Sequence, residues 1–405
     1  MASISPTVVG TRERYESRIF SLYMSSFSPM LGLNLFSSRA VSHNFKKDQF
    51  KLQVYKLCNF FGPVVTAEIL MNSRSFYIPT TVLDPTIRID LNSLSETDCM
   101  KKFFRLSHSE IRQVIVLLQL PDVIITPVHH DRVYVVEAFC LLLRRLSYPN
   151  RWFDLSRQFC RHESSLCRIF YFMMHIVLSK IRRNLLFFYP TGEELQEFAN
   201  AFASHGVPDT IKFWAVIDVK KHQITKPTMN QRAMYRRHKR IHCIKYQTLE
   251  VPNGLILHCS VGDDGRRGDG FVLRKSGLIP FLHQHSIVFG LYRILGDSAY
   301  PNNDVMLSVF KGNPARLPPH ASAFNNIVCP LRTSVEWGYE KIIKYWAFLD
   351  FKKQMKIGRS GIIAMWHMAV FLTNVVTCAK GGNQISTYFN LAPPSLENYV
   401  IRVIS

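Results

Sequence analysis

Acid is scarce in this chain. Its 405 residues hold 29 Asp and Glu against 50 Lys and Arg, a formal net charge of +21 and a pI near 9.7. Such a balance excludes a basic partner and favours polyanions, with nucleic acid first and an anionic membrane surface second. Paired cysteines are also lacking. The nine cysteines, at 58, 99, 140, 160, 167, 243, 259, 329 and 378, form no C-x-x-C, which argues against a zinc module. An odd, scattered set suits a reducing compartment and buried thiols. Nor is there an apolar run of about twenty residues, the length a membrane span needs. Ile362 to Val376 comes nearest, but it is short and carries His367, Thr373 and Asn374, so a buried C-terminal helix is expected. At the N-terminus, Ile19 to Met24 is too short for a secretory signal. Arg12, Arg14, Arg18 and Arg39 weakly resemble an organelle transit peptide, whereas Glu13 and Glu16 favour a loose tail. Internal repeats and low-complexity tracts are missing too.

What is present reads as globular: 47% hydrophobic and 20% charged residues, long enough for two or three compact units. Residues 1–100 show no clear period and suggest no function. Residues 101–205 read as helical. Ile111, Val114, Leu117 and Leu118 recur at helical spacing after candidate caps Ser107 and Ser109, and a second helix fits Tyr134 to Leu146, ahead of Pro149. A short helix (Trp152 to Phe159), a turn (Cys160 to Glu163) and a longer helix from Ser164 have the proportions of a helix-turn-helix DNA reader. An ordinary helical hairpin has the same proportions, and Arg157, Arg161 and Arg168 tilt the reading towards DNA. Leu195 to Phe202 closes the unit, and Gly206-Val207-Pro208 marks a boundary.

From 206 to 405 the period changes to an α/β layout. Phe213 to Asp218 is a strand candidate. Ile241 to Val251 and Leu255 to Ser260 flank Asn253-Gly254, a hairpin signal. A glycine loop, 262–270, precedes another strand, Leu291 to Leu295, which ends at Gly296-Asp297. Val335, Tyr339, Ile342 and Trp346 then mark a helix that Ser334 would cap. In this layout Asp218 and Asp297 end strands and Glu336 opens the helix, so the three acids could converge. Hard divalent cations take oxygen ligands and keep waters, and a pair of them can assist phosphodiester displacement. Spacing alone leaves rivals: Asp263, Asp264 and Asp269 in the loop, and Glu340 one turn beyond Glu336. The bland readings are a Glu340–Lys344 pair, turn-forming loop aspartates, and a solvated Asp218.

Between Asp218 and Glu250 no acid interrupts a basic run that includes Arg232, Arg236, Arg237, Lys239 and Arg240. Each such side chain adds to phosphate-backbone affinity through counterion release. The RRHKR core at 236–240 also reads as a nuclear localisation signal, or as a solvated face. Tyr235 and Tyr246 are candidates for stacking on unpaired bases, and His238 and His242 read as phosphate-facing or structural.

From about residue 100 onward the chain resembles PIF/Harbinger-type transposases of the DDE superfamily. The resemblance rests on LLLRRLSYPNRWFDLSRQF, FWAVID, NQRAMYRRHKRIHCIKYQTLEVPNGLI, GRRGDG, LGDSAYP, RTSVEWGYEKI, WAFLDFKK and PPSLENY, in that order. It implies an RNase H-like nuclease domain preceded by an all-α, helix-turn-helix-like region. Carried over by position, the catalytic and metal-holding acids fall on Asp218, Asp297 and Glu336, and Arg332 opens the block that holds Glu336. The implied cofactor is Mg²⁺ or Mn²⁺, two ions in all, and the implied substrate is terminal-repeat DNA, cut and joined to target DNA in the nucleus. A Myb-like DNA-binding accessory protein and a homo-oligomer are further implied partners. Two departures stand out: Val219-Lys220 replaces the Gly-Thr that commonly follows the first aspartate, and Gly268 replaces a His. The alternative is a domesticated relative that binds DNA or protein without cutting, and an RNA-directed nuclease of the same fold is a third reading.

Overall fold

The computed structural model describes residues 94–96, 101–186, 189–358 and 360–405. Nearly all of the segment 1–100, to which the sequence assigns no function, lies outside them. The helical part begins with α1 (Lys101–Phe104) and α2 (His108–Leu117). Ser107 caps α2 through a capping box with Glu110, each side chain satisfying an orphan amide of the other. A small hairpin follows, β1 (Val123–Ile125) and β2 (Arg132–Tyr134). Next come α3 (Val135–Ser147), α4 (Trp152–Phe159), α5 (Glu163–Leu186) and α6 (Gly192–Ala203). Helix α3 stops at Tyr148 because Pro149 forces extended backbone before it.

Helices α4 and α5 follow one another across a turn, with Cys160 in the left-handed conformation. Two of the three arginines around it are engaged inside the protein. Arg161 grips Glu137 of α3 at 2.6 Å, and Arg168 grips Asp131 at 2.6 Å. The third, Arg157, lies over the Phe153 ring.

The second half is built on a mixed sheet of β3 (Lys212–Gln223), β4 (Tyr235–Arg236), β5 (Ile241–Glu250), β6 (Ile256–Cys259), β7 (Asp263–Asp264), β8 (Tyr292–Gly296) and β9 (Met306–Ser308). Strand β3 is central: it pairs antiparallel with β5 and parallel with β8, which pairs parallel with β9. On the other side β5 carries β6, joined through the Asn253-Gly254 turn, where Gly254 has φ +82°. A Cβ there would also strike Asn383, so glycine is needed twice over. Short helices α7 (Gln231–Met234), α8 (Asp269–Ser276), α9 (Leu278–Gln284) and α10 (Ser286–Phe289) fill the connections.

Helix α11 (Pro319–Tyr345) lies on the sheet, followed by α12 (Ile362–Ala379), α13 (Gln384–Tyr388) and α14 (Leu396–Ile404). Among the described residues two helices, α5 over 163–181 and α12, are long and apolar enough to cross a membrane, but 89% of α12 is buried within the protein. One cluster of buried residues runs from Phe104 to Val403 through both halves.

Three local expectations need correction. Strand β3 continues five residues past Asp218, where Val219, His222 and the following Ile224 are still buried, so the acid is mid-strand. Helix α11 begins at Pro319, so Ser334 is no cap; it is buried and donates to the Leu331 carbonyl. Glu336 therefore lies well inside the helix.

Candidate active site

Register brings the first two acids together. Val216 of β3 lies opposite Leu295 of the parallel strand β8, so Asp218, within β3, and Asp297, just past the end of β8, each two residues further, stand level. Both are half-buried. Burial pushes the Asp218 carboxyl above its ordinary value; the Val219 amide opposes this, the Asp297 charge adds to it, and Arg332 pulls the other way. Asp297 Oδ1 accepts the Ala299 amide at 2.9 Å, which holds the turn after β8. Among the described residues, neither aspartate makes an ion pair with a basic side chain within 4.0 Å.

Glu336 stands apart from that pair. Its side chain is 55% exposed and lies 3.6 Å from Arg332, one turn back on α11. The expected Glu340–Lys344 pair does not form; Arg332–Glu336 is the i,i+4 pair of this helix among the described residues. No three His, Cys, Asp or Glu side chains among the described residues are grouped closely enough to hold a metal. Two facing carboxylates without a cationic partner are nevertheless the donor chemistry that a hard, water-keeping cation fits. Asp218 and Asp297 thus offer oxygen donors for a divalent cation, and Glu336 as placed does not complete a three-residue group with them.

The rival acids are accounted for. Asp269 receives the fully buried Lys245 ammonium at 2.6 Å, Asp263 is paired with Lys275, and Asp264 lies 3.9 Å from Arg267. Lys245 also donates to the Arg267 carbonyl at 2.5 Å, which ties the glycine loop to β5.

Sequence reasoning missed three neighbours. Glu250 of β5 is fully buried, its Oε2 has no hydrogen-bond partner, and it presses on Gly338 of α11 so closely that any Cβ there would collide with the carboxyl. Burial, then the nearby Asp218 charge, raises its pKa well above the ordinary value, so the fold favours the neutral carboxyl. Tyr339 donates to the Asp218 backbone carbonyl at 2.7 Å. Tyr300 is buried beside Asp218, Asp269 and Asp297, and burial followed by those charges raises its phenol well above its ordinary value. The only signal for Tyr300 was its place in the LGDSAYP block.

The basic run forms α7, β4 and the turn into β5. Arg232, Arg237, Lys239 and Arg240 are exposed and make no ion pair among the described residues; Arg236 is half-buried. Asp218 pairs with Thr248, and the hairpin begins at Ile241. The run is therefore displaced seven residues along β5, about 23 Å at roughly 3.3 Å per residue. It projects beyond the sheet and does not line the acid pair. Of the two candidate stacking tyrosines, Tyr246 is buried and stacked on Trp366 at 4.6 Å, so it is not presented to bases; Tyr235 lies against His242.

Residues 217–374 match the family of DDE superfamily endonucleases. The matched span contains Asp218, Asp297 and Glu336, and it covers the sheet from mid-β3 through most of α12. No curated protein and no solved structure matches the chain. That span is thus similar to DDE superfamily endonucleases, in accord with the resemblance read from the motifs. The mixed sheet with antiparallel β3–β5–β6 and parallel β3–β8–β9 fits the RNase H-like fold. DNA is the substrate such a domain implies, and divalent metals are what such nucleases generally use.

Proposed function

We propose that this protein is a metal-dependent DNA endonuclease of the PIF/Harbinger transposase type, which hydrolyses phosphodiesters at transposon ends and joins the freed 3′-hydroxyls to target DNA. The observation that carries the reading is the juxtaposition of Asp218, within β3, and Asp297, just past the end of the parallel strand β8, inside the matched span. These two would hold Mg²⁺ or Mn²⁺, which when bound supplies Lewis-acid stabilisation of the charge developing on the phosphoryl oxygens. Glu336 is the third acid. It joins the aspartates when its pair with Arg332 opens, and Arg332 then turns to the phosphodiester. Arg232, Arg236, Arg237, Lys239 and Arg240 grip the backbone about 23 Å from the acids, a span of about seven base pairs at roughly 3.4 Å each. Residues 101–205 act as the helix-turn-helix-like DNA-binding region. The protein acts in the nucleus, as a homo-oligomer and with a Myb-like DNA-binding accessory protein.

A nicking assay on supercoiled DNA tests this. With Mg²⁺ or Mn²⁺ the wild type nicks, and Asp218→Asn and Asp297→Asn each lose at least a hundredfold. Full activity in Asp297→Asn rejects the assignment. One observation favours a second reading, a binding module that does not cut: Glu336 faces solvent with Arg332 instead of completing a metal site. Normal DNA binding by a wild type that does not nick in Mn²⁺ selects that reading.

A further inference from the structure

The two residues that depart from the family pattern after Asp218 point in opposite directions. Val219 is buried in the face opposite the acid, paired with Gln247, so its bulk does not crowd Asp218. Lys220 shares the Asp218 face, and its ammonium lies 5.3 Å from the centre of the Tyr339 ring. Since Tyr339 also holds the Asp218 carbonyl, the ammonium is fixed relative to the acid, about 6.6 Å further along the strand at roughly 3.3 Å per residue. That is the scale of the through-space distance between successive phosphates of one strand, which is longer than the axial rise per base pair.

Lys220 lines an open cleft of about 500 Å³ between the end of β3 and α11. Lys344, one α11 turn beyond Glu340, faces it from the other side. Glu340 and Asp350 also line the cleft, yet among the described residues neither Lys220 nor Lys344 has a carboxylate within 4.0 Å. A half-buried ammonium held by an aromatic face and left without a counter-ion is prepared for an anion from outside. The basic hairpin lies at the far end of the same strand pair, so a DNA strand running from it to Asp218 passes this cleft.

We propose that the cleft seats a backbone phosphate of the bound DNA strand one step from the phosphodiester under attack, with Lys220 and Lys344 as its cationic contacts. This rests on the endonuclease reading. Glu340 and Asp350 limit the cleft to a single phosphate and weaken it; Glu340→Gln therefore tightens binding.

The test is fluorescence anisotropy of a labelled duplex with the full chain in EDTA, so that binding is read without cleavage. Lys220→Met keeps the packed stem and removes the charge; Lys220→Arg keeps the charge. The Met variant and Lys344→Ala each weaken binding roughly three- to tenfold, and each lowers the slope of log K against log salt by about 0.9. The Arg variant restores both quantities, a rescue that a merely structural role does not give. Unchanged affinity and slope in Lys220→Met and Lys344→Ala overturn the proposal. So does Lys220→Thr if it speeds nicking without changing affinity, because Lys220 then obstructs the site. If the wild type nicks while the variants bind as it does, only the phosphate seat falls. A wild type that neither binds nor nicks removes the endonuclease reading as well.

Discussion

The hydroxyl of Tyr339 donates to the backbone carbonyl of Asp218 across 2.7 Å, joining helix α11 to the middle of strand β3 at the acid itself. A mid-strand carbonyl already serves the sheet ladder, so the phenol uses its second lone pair. The contact fixes the distance between the helix that carries Arg332 and Glu336 and the strand that carries Asp218. Tyr339→Phe is expected to cost about 1 kcal/mol of stability. Nicking is expected to fall about tenfold while DNA affinity stays within twofold, because positioning of the acids suffers and the basic surface does not. Parallel denaturation, nicking and anisotropy measurements check this. An unchanged rate shows that the hydroxyl does not position the site.

Gly338 and Glu250 form the next contact of the same interface. Gly338→Ala puts a methyl into the buried carboxyl and is expected to cost about 1–3 kcal/mol as overpacking. Glu250→Gln should stabilise above neutral pH. The sign follows from the raised folded pKa: above the ordinary 4.5 the unfolded chain releases a proton that the folded chain retains, so wild-type stability declines as pH rises towards the folded value. Asp218, which opposes ionisation, and Lys341, which favours it, are the charges facing this group. The advantage of Gln over Glu, from denaturant midpoints, should therefore grow as the pH rises above the ordinary 4.5. A constant difference contradicts the assignment.

Two buried histidines act in the opposite direction. Burial lowers His222 and His367 to about 4, with their Nε2–H groups donated to the Leu349 and Ser260 carbonyls. On unfolding both return to about 6.5, so the unfolded state binds more protons between pH 6.5 and 4 and stability is lost as pH falls through that window. Each residue contributes about 3 kcal/mol across it, at about 1.4 kcal/mol per pKa unit. Replacing either by Gln should flatten the acid limb of a stability–pH curve; an unaltered limb refutes the linkage.

Much of this architecture was legible from local signals. Ser107 with Glu110 marks the start of α2, Pro149 the end of α3, and Asn253-Gly254 the β5–β6 turn, because each acts within a few residues. Asp218 and Asp297 were legible as strand-associated acids, although their meeting depends on β8 lying parallel beside β3, which no local pattern states. Three things were hidden. The true start of α11 sits fifteen residues before Ser334, since Pro330 inside the helix masks its continuity. Glu250 is charged by type and belongs to the core only through Gly338. Arg161 and Arg168 look like a DNA-facing pair until Glu137 and Asp131 arrive from elsewhere in the fold.

The basic hairpin gives a separable prediction. Because Arg237, Lys239 and Arg240 are exposed and unpaired among the described residues, replacing all three by Gln should leave stability within about 0.5 kcal/mol. DNA affinity should fall at every sequence alike, and the salt slope should drop by about 2.7, roughly 0.9 per phosphate contact. A salt titration by anisotropy reads the slope. No change in it moves the DNA path away from the hairpin.

The most direct test of the central claim is Mn²⁺ binding to the full-length protein, followed by electron paramagnetic resonance of the free ion. The account predicts that the wild type sequesters Mn²⁺ and that Asp218→Asn and Asp297→Asn each abolish that binding while the fold is retained. Undiminished Mn²⁺ binding by both variants would contradict it.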